Sequence, residues 1–171
     1  PEVDDASRST SGNASDVDDT TASSDVWDMA VRYENEAEGF TYRIGAGYTH
    51  AQVETGTADD RDAWNIGADF DIGNFGVGVV YMNDDLGDAD DEAEYWVVGA
   101  DYKMGSVVYG ASYYNKEDDV NDVDYDRYSL GATYKYGPGM DFRASVGFHD
   151  IEEGTTDAEA TSIMVGTDIK F

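Results

Sequence analysis

From Asp25 to its C-terminus the chain alternates large apolar residues with small or polar ones, and a period of two commits it to β-strands. The stretch GADFDIGNFGVGVVYMN, residues 67–83, shows the rule. Trp64, Ile66, Ala68, Phe70 and Ile72 make one row; Asn65, Gly67, Asp69 and Asp71 make the other. Beyond Gly73-Asn74 the apolar row resumes with Phe75, Val77, Val79 and Tyr81, so a tight hairpin is predicted there. Nine alternating segments follow one another, over 26–34, 40–52, 63–72, 75–83, 94–103, 106–115, 127–136, 140–149 and 161–171. Most are near ten residues, long against a mode of about five or six in globular sheets. Short connections at 35–39, 73–74, 104–105 and 137–139 are predicted to alternate with long acidic ones around 53–62, 84–93, 116–126 and 150–160. The expected fold is all-β, an antiparallel meander of about nine strands over 25–171. Residues 1–24, rich in Ser, Thr and Asp and without periodicity, read as a surface loop or disordered tail.

The two faces differ sharply. Apolar rows include Trp27, Met29, Val31, Tyr33; Phe40, Tyr42, Ile44, Ala46, Tyr48; Trp96, Val98, Ala100, Tyr102; and Phe142, Ala144, Val146, Phe148. Aromatics close both ends of most rows and aliphatics fill the middle, at a spacing that spans roughly 15–20 Å in a tilted strand. Such sorting fits two aromatic girdles around the lipid-facing band of a transmembrane β-barrel. A soluble barrel with its apolar side inward is the competing fold, because alternation alone does not say which face is inside. The polar face carries Asp28, Arg32, Glu34, Arg43, Asp69, Asp71, Asp101, Lys103, Arg127, Lys135, Asp141, Arg143, Asp168 and Lys170, whose charges balance.

The excess of 38 acidic over 10 basic residues, a net charge of -28, therefore falls on the tail and the connections. That charge repels nucleic acid and favours cations. The absence of cysteine excludes disulfides and thiolate metal sites. No run of about 18 apolar residues occurs, so no membrane-spanning helix is expected. A start at Pro1 points to a processed or truncated chain.

The chain ends ATSIMVGTDIKF, alternating Ile163, Val165, Thr167 and Ile169 and closing on Phe171. With the repeated segments IGADFDIGNFGVGVVY, VGADYKMGSVVYGASYY and LGATYKYGPGMDFRASVGF, this resembles the C-terminal part of Gram-negative general porins, most like those of alphaproteobacteria. The resemblance covers residues 25–171. It implies a 16-stranded, homotrimeric barrel in the outer membrane, in contact with lipid and lipopolysaccharide, that passes small hydrophilic solutes by diffusion. It also implies recognition by the barrel assembly machinery through the last strand and Phe171. Nine strands then correspond to about strands 8–16, with the tail as the preceding surface loop.

The pore-lining candidates are Arg32, Arg43, Asp69, Asp101, Lys103, Arg127, Lys135, Asp141 and Arg143. Arg32 and Arg43 are expected to face each other near a short turn, and Arg127 and Arg143 to lie on a neighbouring strand pair. Rows of arginine opposite acids set a transverse field in the family. Ion pairs to Asp28, Glu34 or Asp141 are the structural alternative. Asp88, Asp90 and Asp91, and Asp122, Asp124 and Asp126, place hard oxygen ligands at alternate positions and are candidates for Ca²⁺, although neither set forms an EF-hand loop. His149 lies on the polar face beside Asp150 with no evident third partner, and His50 lies at an outer strand end. No nucleophile elbow, phosphate loop or His-rich metal motif is present, so no enzyme is expected and no other cofactor is implied. Three functions compete: a cation-favouring diffusion channel, a non-transporting barrel whose acidic loops bind cations or a partner, and a soluble ligand-binding barrel.

Overall fold

The computed structural model describes residues 23–53, 59–87, 92–119 and 121–170. They form one nine-stranded antiparallel sheet in sequence order: β1 (Ser23–Ala37), β2 (Phe40–Val53), β3 (Arg61–Ile72), β4 (Phe75–Asp84), β5 (Ala93–Met104), β6 (Val107–Asp118), β7 (Val123–Gly137), β8 (Met140–Glu153) and β9 (Thr156–Ile169). The meander is the one the alternation predicts. Among the described residues β1 pairs only with β2 and β9 only with β8, so both edges of the sheet are open.

The strands outrun the predicted segments at the ends opposite the short turns. β6 continues to Asp118, β7 starts at Val123, and β8 and β9 meet through a two-residue turn, Glu153 pairing with Thr156. The long connection predicted over 150–160 is thus a tight turn, with Gly154 at φ +59°, a conformation glycine adopts without a Cβ clash. The sequence reading looked for an apolar row, whereas a strand continues wherever the hydrogen-bond ladder does. Ladder residues beyond the band need no apolar side. β1 likewise starts at Ser23, inside the segment expected to be a tail; residues 1–22 lie outside the described residues.

Among the described residues no apolar core forms on either face. Among the described residues the buried hydrophobic side chains are three alanines, Ala51, Ala63 and Ala93. The long apolar row of β1 stands open, with Trp27 69% and Met29 68% exposed.

The rings on the apolar face gather into two belts. Near the short turns, Tyr33 meets Tyr42, Tyr42 meets Phe40 and Phe70, Phe75 meets Tyr102 at 4.6 Å, and Tyr136 meets Phe142. At the other end Trp64 meets Tyr81, Tyr81 meets Trp96 at 4.6 Å, and Tyr113 meets Tyr128 at 4.9 Å. Between the belts run Val31, Ile44, Ala68, Val79, Val98, Leu130, Val146 and Val165, whose cross-strand neighbours are mostly aliphatic or small. This is the sorting by height that the sequence reading anticipated.

Candidate functional site

The charged face is built by register. Strand pairing places Glu34, Arg43, Asp69 and Gly78 in one cross-strand row, and Thr41, Asp71, Gly76 and Asp101 in the next. From β2, Arg43 donates to Asp69, donates to Asp71 at 2.8 Å, and lies 3.4 Å from Glu34. Lys103 of β5 donates to Asp71 at 3.2 Å, reaching over β4. That bridge needs a bare strand beneath it. A Cβ at Gly76 would lie 2.3 Å from Asp101 Oδ1 and 3.2 Å from Asp71 Oδ1, so the crossing carboxylates occupy the space a side chain would take. Asp101 Oδ2 is shielded and has no hydrogen-bond partner among the described residues.

Other candidates fall into smaller units. Arg32 pairs with Glu34 at 2.6 Å, so both arginines near the first turn converge on Glu34 rather than on each other. Arg143 takes Asp168 at 2.8 Å instead of Asp141, because its cross-strand partner in β9 is Gly166, two residues from Asp168 on the same face. Lys135 and Asp141 stand opposite in register. Arg127 and Arg143 lie on the neighbouring strands β7 and β8 but not opposite each other: Arg127 faces His149, six residues along β8 from Arg143, which faces Thr133. Arg127 packs over the Tyr114 ring, 5.3 Å from its centroid. His149 gains partners the sequence did not reveal, Tyr125 Oη at 2.6 Å and Ser162 Oγ at 2.8 Å. Between the charged ends the wall is bare: Gly78, Gly99, Ser112, Ser129, Gly147 and Ser162 share one row across β4 to β9.

At the end away from the short turns, beyond the aromatic belt, two buried acids cap the strands. Asp84 is 1% exposed and accepts Arg61 Nε at 2.8 Å, a second bond from the Arg61 guanidinium, and the Leu86 N–H at 3.0 Å. Asp118 accepts Lys116 at 2.7 Å and the Asn121 N–H at 3.0 Å. Burial alone would push the Asp84 carboxyl up, but the Arg61 and Leu86 hydrogen bonds outweigh it and hold the group below the ordinary carboxylate range. Asp118 is held low mainly by the Lys116 hydrogen bond. Sequence reading had left Arg61 and Lys116 in loops; strand parity sets both on the charged face.

Three of the calcium candidates, Asp122, Asp124 and Asp126, lie among the described residues. Asp122 sits in a turn at φ +51°, and Asp124 and Asp126 belong to β7, where both receive the Asn115 amide and Asp126 also the Tyr113 hydroxyl at 2.6 Å. Among the described residues no group of three or more acidic or histidine side chains converges as metal ligands. Asp88, Asp90 and Asp91 lie outside the described residues. On the apolar face at this same end, tyrosine hydroxyls repeatedly reach acids: Tyr48 to Asp62 at 2.5 Å, Tyr81 to Glu94, and Tyr113 to Asp126. His50 shares Asp62 at 2.8 Å.

Two solved structures share this architecture at 17% identity. The anion-selective porin from Comamonas acidovorans aligns with a TM-score of 0.67 over 83% of this chain and 48% of its own. The outer-membrane OmpT of Vibrio cholerae aligns with a TM-score of 0.58 over 84% of this chain and 56% of its own. The chain thus spans about half the length of these relatives. No curated protein matches. The family model for Gram-negative porins matches residues 3–154. With the open-edged meander, the paired aromatic belts and the charged opposite face, that match places the chain in the Gram-negative porin family.

Proposed function

We propose that the chain is the C-terminal part of a general porin of the alphaproteobacterial type, about strands 8–16 of a sixteen-stranded, homotrimeric barrel in the outer membrane of a Gram-negative bacterium. It forms part of a water-filled channel for passive diffusion of small hydrophilic solutes and ions, and it is not an enzyme. The observation that carries this reading is the division of faces, with aromatic-belted apolar rows on one side and a charged, glycine-floored wall on the other. Open edges cannot face lipid, so further strands close the barrel. β1 and β9 are both odd-numbered in an antiparallel meander and run the same way, so antiparallel closure takes an odd number of additional strands. Seven meet that condition. A structure of the 171-residue chain alone with a continuous ladder from β1 to β9 would sink the proposal.

The complete pore favours cations. Acids outnumber bases 38 to 10, while Arg32, Arg43, Lys103, Lys116 and Arg143 of the charged face are tied to carboxylates. The excess field therefore acts from the mouth, where it concentrates cations and is screened as the Debye length falls from about 10 Å at 0.1 M salt to about 3 Å at 1 M. In a planar bilayer under a KCl gradient, the zero-current potential should report cation preference at low salt and a weaker one at high salt. Neutralising Asp88, Asp90 and Asp91 together should reduce it. Anion preference at low salt overturns the selectivity, and a folded barrel without conductance favours the non-transporting alternative.

A further inference from the structure

In a chain so rich in carboxylates, two adjacent cross-strand rows of the charged face hold none. They run through all nine strands, from Arg32 to Ala160 and from Ala30 to Ala158. The row on either side of them carries acids, Glu34 and Asp69 in one, Asp84 and Asp118 in the other. On β5 to β8 these acid-free rows alternate rings with cations. Lys116 Nζ lies 5.9 Å from the Tyr95 centroid, and Arg127 Cζ lies 5.3 Å from that of Tyr114. Tyr114 and Tyr125 meet at 5.6 Å, and Tyr125 stacks on His149 at 6.0 Å with 14° between the planes.

Arg127 is the open point of this strip. It is exposed, and among the described residues it forms no ion pair and lies over the Tyr114 ring. Lys116, by contrast, is tied to Asp118 at 2.7 Å. An arginine held over a ring and without an ion pair keeps N–H donors for a carboxylate, which a guanidinium takes in two parallel bonds. The tyrosine faces beside it offer contact to a flat or apolar body.

We propose that this strip is a retention site for small organic anions bearing an aromatic or apolar body, with the anionic group on Arg127 and the body against Tyr114 and Tyr125. The proposal deepens the porin reading and depends on it only in that the charged face meets water. Selectivity at the mouth and retention here act at different places: the first by a long-range, salt-screened field, the second by contact.

Benzoate serves as the probe, with acetate and benzyl alcohol as its two halves. Calorimetric titration of the complete porin that contains this chain, refolded in detergent micelles, should show benzoate binding at least about tenfold more tightly than either half. Arg127→Met should weaken benzoate binding by about tenfold, Arg127→Lys should restore part of it, and Lys170→Met, which removes a base outside the strip, should leave it unchanged. Heat-dependent migration on gels confirms that each variant is folded. Comparison of the three probes on the unaltered chain needs no variant. Benzoate binding no tighter than acetate, or equal losses from Arg127→Met and Lys170→Met, overturns the proposal. Bilayer conductance on the same preparations separates the two readings: binding without conductance leaves the site standing and removes the channel, and conductance without binding does the reverse.

Discussion

Replacing Val98 by arginine is expected to cost the barrel about 2–4 kcal/mol, Met104→Arg about 0–1 kcal/mol, and Ser129→Arg a small fraction of the Val98 figure. Val98 stands midway along the apolar row of β5, paired across to Val79 and Tyr113, with Trp96 and Tyr102 marking the belts above and below. On the proposed reading a guanidinium there is set among lipid tails. Met104 lies on the same face at the short-turn end of β5, where a long cationic side chain reaches the interface. Ser129 is on the opposite face between Ser112 and Gly147, where there is space and no apolar neighbour in its row. The depth dependence separates this reading from a soluble barrel, in which burial and not height would set the cost. Urea titration of the protein refolded into lipid vesicles provides the measurement. Equal costs at Val98 and Met104, or a cost at Ser129 as large as at Val98, would reverse the assignment of faces.

The parts of the fold legible in the sequence were those governed by a local rule. Alternation with period two fixes which side chains share a face, and glycine or Gly-Asn pairs fix the turns, so Gly73-Asn74 and its register follow directly. Strand ends beyond the apolar band were not legible, because Asp150 to Glu153 and Thr156 to Ala160 form a ladder without an apolar face to announce it. The same holds for Arg61 and Lys116: their strand parity is correct for the charged face, but the extension that gives them a parity was invisible.

The ring–cation strip was missed for a different reason. In YWVV the residues on both faces are apolar, and Tyr95 and Val97 read as part of an apolar run although their parity puts them with Asp101 and Lys103. The signal that could have found it is the break in alternation itself. A charged strand side that stops being polar for two positions marks a place where that face changes chemistry. Partners set by diagonal contacts, such as Arg143 with Asp168 and His149 with Ser162, depend on the stagger of neighbouring strands and have no one-dimensional signature.

Removing the cation from the buried Asp84 cap should have the other large effect. Asp84 is enclosed, yet it stays ionised because Arg61 supplies two hydrogen bonds and a charge. Arg61→Met keeps most of the aliphatic stem and strands the carboxylate. The full cost of breaking a buried pair is larger, but half-exposed Arg61 shares its site with water, so about 2–3 kcal/mol is expected at pH 7. The pH dependence gives the sign. In the unaltered protein the depressed carboxyl contributes stability above its unfolded value of about 3.9 and loses it as pH falls through the lower folded value. In the variant, burial without a cation raises that carboxyl, so acidification protonates it and relieves the penalty. The gap between the two proteins should therefore narrow as pH falls from 7 toward about 4. Asp84→Asn in the Arg61→Met background removes the stranded charge and should recover part of the loss, a coupling that a double-mutant cycle reads directly. A gap that stays constant over that pH range, or a double variant no more stable than Arg61→Met alone, would show that Arg61 acts through its packing and not through the charge it neutralises.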